Sequence, residues 1–305
     1  MSRTRTRTLS LSSLALAGAL ALSACGGGNG GEESEAELGT EDNPVVLGVV
    51  GASEPYWQTY EDAVEAEGIQ VEIQDFTEYT QPNPALSEGE LDMNQFQHIQ
   101  YLADYNVAAD DDLEVIGSTA IYPLGLYSSK HGSVEEIPDG GKVIVPNDTV
   151  NQARGLLVLQ SAGLVKLADG GNAASTLEDV IEEESKVTVS ALDAAAIPNS
   201  LPDVDGAIIN NDFLNNAGLT GDDVLFQDDP SDPDAFPYIN IFATQAEDAD
   251  NETLKKMVEI YQTNEDVQAG VQESAGGTAE LVQTPVEELQ ASLDETEEAI
   301  RNASE

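Results

Sequence analysis

The chain has 305 residues, of which 58 are acidic and 11 are lysine or arginine, for a formal net charge of −47 at pH 7. A surface this negative repels phosphate, which excludes nucleic acid as a partner and argues against direct docking on anionic lipid. Hydrophobic residues still make up 40% of the chain, enough for a core, so an acidic disordered tail is excluded as well.

The first 25 residues, MSRTRTRTLSLSSLALAGALALSAC, place Arg3, Arg5 and Arg7 ahead of an apolar run from Leu9 to Leu22. The layout is that of a secretory signal, and the run is too short to be a comfortable membrane span. A cysteine directly after the small-residue box LSA resembles a bacterial lipoprotein signal, in which the Cys25 thiol is lipidated and becomes the new N-terminus. An ordinary signal peptide with a chance cysteine is the alternative. Cys25 is the only cysteine, so the rest of the chain has no disulfide, no thiolate nucleophile and no cysteine-based metal site.

Three of the basic residues and none of the acids precede Cys25, so beyond it eight bases face 58 acids, a balance of −50. Self-repulsion at that level destabilises a compact state unless salt screens it. The reading is a protein outside the cytoplasm in substantial salt, with charge that serves solvation rather than ligand recognition. The Gly-rich, then acidic stretch that follows reads as a flexible tether over residues 26–43. Its GGGNGG has no strand before it and no helix after it, so it is not a phosphate loop.

PVVLGVVG (44–51) is an apolar run of strand length, and PYWQTYEDAVEAEG (55–68) sets Trp57, Tyr60 and Val64 at helical spacing before Gly68. Trp57 reads as core. IQVEIQDF (69–76) alternates like a strand; a short helix, a strand and a helix follow up to residue 107. Two extended segments fill 113–129, and KVIVP (142–146) is a strand leading into a helix over 149–163. Further strands fall at 186–192, 204–210 and 238–244, and a helix capped by Asn251 covers 251–262. Alternation of strand and helix predicts an α/β fold with mostly parallel sheet and ligand sites at strand C-terminal ends. The acidic amphipathic stretch 284–305 reads as a helix packed weakly on the surface or continuing as a tail.

Arg154 is the only arginine between Cys25 and Arg301. It lies in VPNDTVNQARGLL, where Thr149 followed by Gln152 fits a capping box and predicts Thr149 as the N-cap. Free N–H groups at that helix end would suit an anion. Asn151 and Arg154 are three apart and share a face; with the helix end they would form a carboxylate clamp. A salt bridge from Arg154 to one of the many acids is the other reading, and spacing leaves both open.

Several segments occur in order: FTEYTQPNPALSEGELDMNQFQHIQYL (76–102), IYPLGLYS (121–128), VPNDTVNQARGLLVLQSAGLVKL (145–167), VDGAIINNDFLNNAGL (204–219) and PYINIFAT (237–244). In combination they closely resemble the NlpA family of bacterial lipoproteins, the methionine-binding components of ABC importers. The resemblance spans about 45 to 274. It implies a two-lobed periplasmic-binding-protein fold (type II) with the ligand in the interlobe cleft. Residues 44–124 and 237–275 would form one lobe, 125–236 the other, and 276–305 an acidic helical extension that departs from the usual family ending.

By the same resemblance Arg154 would hold a ligand carboxylate, and Asn151, Asn210 and Asn240 would bond its ammonium and carboxylate groups. Tyr79, Phe96, His98 and Tyr122 would line a slot for the thioether chain. Aromatic rings suit sulfur and methylenes, and amides suit a zwitterion. His98 read alone could be a satisfied core histidine, and Tyr79 and Tyr122 core or hinge aromatics. Asn210 ends an apolar strand, where a buried amide needs a reason, and Asn211 reads as a cap for the next helix.

The implied function is capture of methionine and delivery to an ABC permease with its ATPase, with membrane attachment through the lipid anchor. No cofactor and no metal are expected. The alternatives are a different amino acid, a methionine-containing dipeptide, or an interaction lipoprotein with a vestigial pocket. An enzyme is the remaining class, but the chain contains no H-E-x-x-H, no G-x-S-x-G and no Walker loop.

Overall fold

The computed structural model describes residues 37–303. The signal, Cys25 and most of the tether lie outside the described residues. In chain order the first elements are β1 (Val45–Val50), α1 (Pro55–Ala66), β2 (Val71–Phe76), α2 (Pro82–Ser87), β3 (Met93–His98), α3 (Ile99–Ala109) and β4 (Glu114–Ile121). The chain then crosses to β5 (Gly125–Tyr127), β6 (Gly141–Pro146), α4 (Thr149–Ser161), β7 (Val187–Leu192), α5 (Ile197–Ser200), β8 (Gly206–Ile209) and β9 (Phe226–Gln227). It returns through β10 (Ile239–Thr244), α6 (Glu252–Thr263), α7 (Glu265–Ser274), β11 (Glu280–Leu281) and α8 (Val286–Ala303).

Among the described residues the strands form two sheets, ordered β11-β4-β10-β3-β1-β2 and β7-β6-β8-β5-β9. The expectation of mostly parallel sheet is corrected. β1 pairs in parallel with β2 and β3, and β6 with β7 and β8. β10, β11, β5 and β9 pair antiparallel with their neighbours. The reason is the path of the chain. β10 comes back from the second sheet and inserts between β3 and β4 against the direction of both, and no local pattern records that return.

Helix α1 buries Trp57, Tyr60 and Val64, the residues at helical spacing. Trp57 and Tyr60 meet Tyr261 of α6 with ring centroids 6.2 and 5.5 Å away, and Phe242 of β10 lies 5.3 Å from Tyr261. Losing one such aromatic from a packed core costs about 3–5 kcal/mol. Strand β3 is buried along its whole length although Asn94, Gln95, Gln97 and His98 lie on it. Asn83 of α2 resolves part of that cost: it donates to Gln97 Oε1 at 2.7 Å and accepts from Asn94 and Gln97 at 2.9 and 2.6 Å. A satisfied buried amide network of this kind holds a strand in one register, and this strand carries Phe96 and His98.

The C-terminal helix is neither a tail nor weakly packed. Leu289 and Leu293 of α8 are 0% and 1% exposed, in one apolar cluster with Ile99 and Leu102 of α3 and Val115 of β4. Asn106 donates to Glu297 at 2.8 Å, and Val282 N, just after β11, donates to Thr119 O at 3.0 Å.

Another apolar cluster joins Val50 and Phe96 from the first sheet to Ile144 and Ile209 from the second and to Phe213 in the turn after β8. Tyr79 donates to Asp212 at 2.8 Å, Thr149 to Asp104 at 3.1 Å and Asn215 to Glu54 at 2.6 Å. The two lobes are thus closed on each other around a cleft.

Candidate ligand-binding cleft

The cleft encloses about 440 Å³ of empty space, measured out to its mouth. All eight candidate residues line it. Tyr79 follows β2, Phe96 and His98 end β3, and Tyr122 follows β4. Asn151 and Arg154 come from the first turns of α4. Asn210 follows β8 and Asn240 lies in β10, where it pairs with His98. Residues separated by up to 161 positions in sequence therefore meet because the two crossovers bring the strand ends of both sheets together.

Arg154 is 5% exposed. Gly155 follows it, and a side chain there would sit 3.3 Å from Ile208 and 3.5 Å from Val145; a glycine lets α4 lie close on its sheet. The guanidinium Nε donates to Asp228 Oδ2 at 2.7 Å, and Nη2 donates to the carbonyl of Tyr122 at 2.9 Å. Its carbon stands 4.2 Å from the ring centre of Tyr238, a cation–π distance. Asp228 also accepts from the backbone N–H of Leu124 at 2.8 Å. The salt-bridge reading of the lone arginine is the one the structure shows. Arg154 makes a salt bridge that ties the two crossover segments together, and it forms part of the cleft wall. The guanidinium has more donors than these partners use.

The helix start differs from expectation. The N-cap of α4 is Asp148, whose Oδ1 accepts from Asn151 N at 2.8 Å and from Asn151 Nδ2 at 3.0 Å. Thr149 is the first helical residue and donates to Asp104 instead. The helix end thus already holds a carboxylate and is not an empty anion site. Burial raises the Asp148 carboxyl to about 6, and the charge of Asp104 adds to the rise.

A relay of amides runs from this cap into the cleft. Asn151 donates to Asp148, Asn210 donates to Asn151 Oδ1 at 3.0 Å, and Asn210 Oδ1 is buried without a partner. Such an acceptor is costly unless something bonds it. Asn240 is less committed; its Nδ2 is 3.5 Å from Tyr238 O. Asn211 does not cap the turn that follows. It opens the 3₁₀ turn 211–213, after an N-cap at Asn210 that makes no side-chain cap bond, and it lines the cleft.

His98 is buried, and its Nδ1 accepts from the Tyr101 N–H at 3.2 Å. That bond assigns the proton to Nε2, which is buried with no hydrogen-bond partner. Burial, with the charge of Arg154, lowers its pKa to about 3. In an NMR titration the His98 ring should show no protonation step between about pH 8 and about pH 5; a midpoint near 6.5 would contradict the burial argument.

Tyr79 lies 6.0 Å from Phe96, 6.1 Å from Tyr101 and 5.0 Å from Phe213, centre to centre. These rings form one aromatic group, of which Tyr79, Phe96 and Tyr101 line the cleft. Sequence reasoning missed Tyr101, which lies in the first turn of α3 and lines the cleft. It also missed Asp212, whose carboxylate was hidden among other acids. The Asp212 carboxyl accepts from Tyr79 OH, and burial raises it to about 7, with Glu54 adding to the rise.

A family model described as NlpA lipoprotein matches residues 45–282. The D-methionine-binding lipoprotein MetQ of Escherichia coli is 37% identical over 240 residues, which is 77% of this chain and 87% of that protein. Among solved structures, a nutrient-binding protein of Burkholderia cenocepacia bound to methionine superposes with a TM-score of 0.70 at 36% identity, covering 78% of this chain and 99% of that one. The substrate-binding protein of a methionine transporter from Streptococcus pneumoniae gives 0.72 at 33% identity, with 78% and 95% covered. The aligned region takes in both sheets and every residue of the cleft, so the chain belongs to the NlpA lipoprotein family.

Proposed function

We propose that this chain is the solute-binding lipoprotein of an ABC importer, lipid-anchored at Cys25, which captures methionine between its lobes and passes it to a membrane permease. The observation that carries the reading is the lining of the cleft. Its wall combines a positioned guanidinium, the unbonded Asn210 acceptor and the unbonded His98 Nε2–H with a group of aromatic rings. Arg154 pairs with the carboxylate of an α-amino acid, Asn151, Asn210 and Asn240 serve its polar groups, and Tyr79, Phe96 and Tyr122 flank an unbranched thioether. His98 stays neutral and donates from Nε2. The relatives named for methionine supply the side chain; the cleft supplies the amino-acid end.

In this reading residues 44–124 and 237–275 move as one lobe and 125–236 as the other. The crossovers tied by Arg154 act as hinges, and enclosure shifts an open–closed equilibrium without any chemistry. The test is calorimetric titration of the purified full-length lipoprotein in detergent, freed of carried-over ligand, with L-methionine, D-methionine, Gly-Met and glutamine. It is run in low and in molar salt, because the net charge makes the fold salt-dependent. Saturable binding of a methionine species is the expected result. Silence from all four ligands, with the fold intact, would end the proposal.

A further inference from the structure

Asp212 is the acid of the cleft that the family pattern leaves without a role. It lies between the main cleft and a smaller cavity of about 300 Å³ and lines both. Among the described residues it makes no ion pair with any lysine, arginine or histidine. Among the described residues its side chain accepts one hydrogen bond, from Tyr79 on Oδ2. The other charged groups of the cleft do not compensate it. Arg154 is already paired with Asp228, and His98 is neutral. The remaining groups that face it are Glu54 and Tyr56 of the α1 end and Tyr122 after β4, and none of them brings a positive charge.

An uncompensated carboxylate in a closing cavity has two outcomes: it holds a proton, or it meets a cation brought by the ligand. The unpartnered Asn210 Oδ1, two residues before Asp212, already points to a missing polar ligand. We propose that Asp212 is the anionic partner of the ligand's ammonium group, so that this receptor selects ligands with a protonated α-amine. This rests on the amino-acid reading above and adds to it a residue and a selection rule.

The carboxyl titrates near 7 in the closed protein because burial and Glu54 raise it, against the Tyr79 bond. A protonated Asp212 must give up its proton to pair with an arriving ammonium, so binding releases protons in the range where the carboxyl titrates. Below that range the proton must be expelled from nearly every receptor, so affinity falls as pH falls through about 7; above it the carboxylate is already ionised and affinity levels off.

The experiment compares wild type with Asp212→Asn, which keeps an acceptor for Tyr79 and removes only the charge. Both are titrated with methionine and with the analogue that carries hydrogen in place of the α-amino group, in two buffers of different ionisation enthalpy at pH 7. In wild type the apparent heat should depend on the buffer, and in the variant it should not. Methionine affinity should fall about 30-fold or more in the variant, while the desamino analogue should bind both proteins alike. Unchanged methionine affinity in Asp212→Asn, or buffer-independent heats in wild type, overturns the assignment and leaves the amino-acid reading standing. A wild type that binds no amino acid removes both.

Discussion

Replacing Arg154 by alanine is expected to lower methionine affinity at least about 100-fold, because the ligand carboxylate then enters a closed cleft without its charged partner. The same change leaves Asp228 without the 2.7 Å bond from Nε and the Tyr122 carbonyl without a donor. Stability should therefore fall too, by about 2 kcal/mol or more, since the arginine side of the pair is buried and the aspartate side partly so. Arg154→Lys separates the two roles. A lysine keeps the charge but lacks the planar fork, so it cannot hold Asp228, Tyr122 and a carboxylate together. Affinity should stay low in Arg154→Lys even where the melting temperature recovers. Calorimetry and thermal unfolding on the same preparations check both statements, and an alanine variant that binds as wild type does would show that Arg154 is only the tie between crossovers.

Removal of the C-terminal helix, by ending the chain at Gln283, is expected to unfold or severely destabilise the protein. Leu289 and Leu293 are buried in the cluster that also holds Ile99 and Leu102. Losing one buried leucine side chain costs about 2–5 kcal/mol, and the truncation also exposes the apolar face of α3 to water. The loss would be comparable to the whole stability of an ordinary domain. The double variant Leu289→Ala, Leu293→Ala offers a milder step if the truncated chain cannot be recovered. Urea unfolding is the measurement, with the midpoint read against an unchanged slope. An unaltered midpoint in either variant would mean that the helix is a loose appendage.

These expectations are linked through the crossovers. Arg154 contacts both segments that join the lobes, Asp228 anchors the start of the second one to Leu124, and Tyr238 lies against the guanidinium. The group proposed to hold the ligand is thus held by both crossover segments, so its orientation is set before the ligand arrives. Preorganised groups lose less freedom on binding, which is the physical use of a salt bridge that spacing alone presented as a rival to ligand binding.

Local order was readable in the chain. The apolar runs at 44–51 and 142–146 became β1 and β6, the spacing of Trp57, Tyr60 and Val64 predicted the buried face of α1, and Asn251 caps α6. Such features depend on neighbours within one or two turns, and the resemblance to the family placed eight residues that do share one cleft. The missed elements include α7 and the strands β9 and β11; the strands, two residues each, are too short to show a period. Two adjacent residues, Asp148 and Thr149, both suit a helix cap; the cap went to Asp148 because it accepts two bonds from Asn151 while Thr149 turns to Asp104.

The direction of β10, the pairing of Arg154 with an acid 74 residues away and the bond from Tyr79 to Asp212 across 133 residues all depend on where the chain returns. With 58 acids to choose from, composition cannot say which one an arginine meets or which one is left alone in a cavity. That choice is made by packing, since only the folded chain decides which carboxylates lose their water.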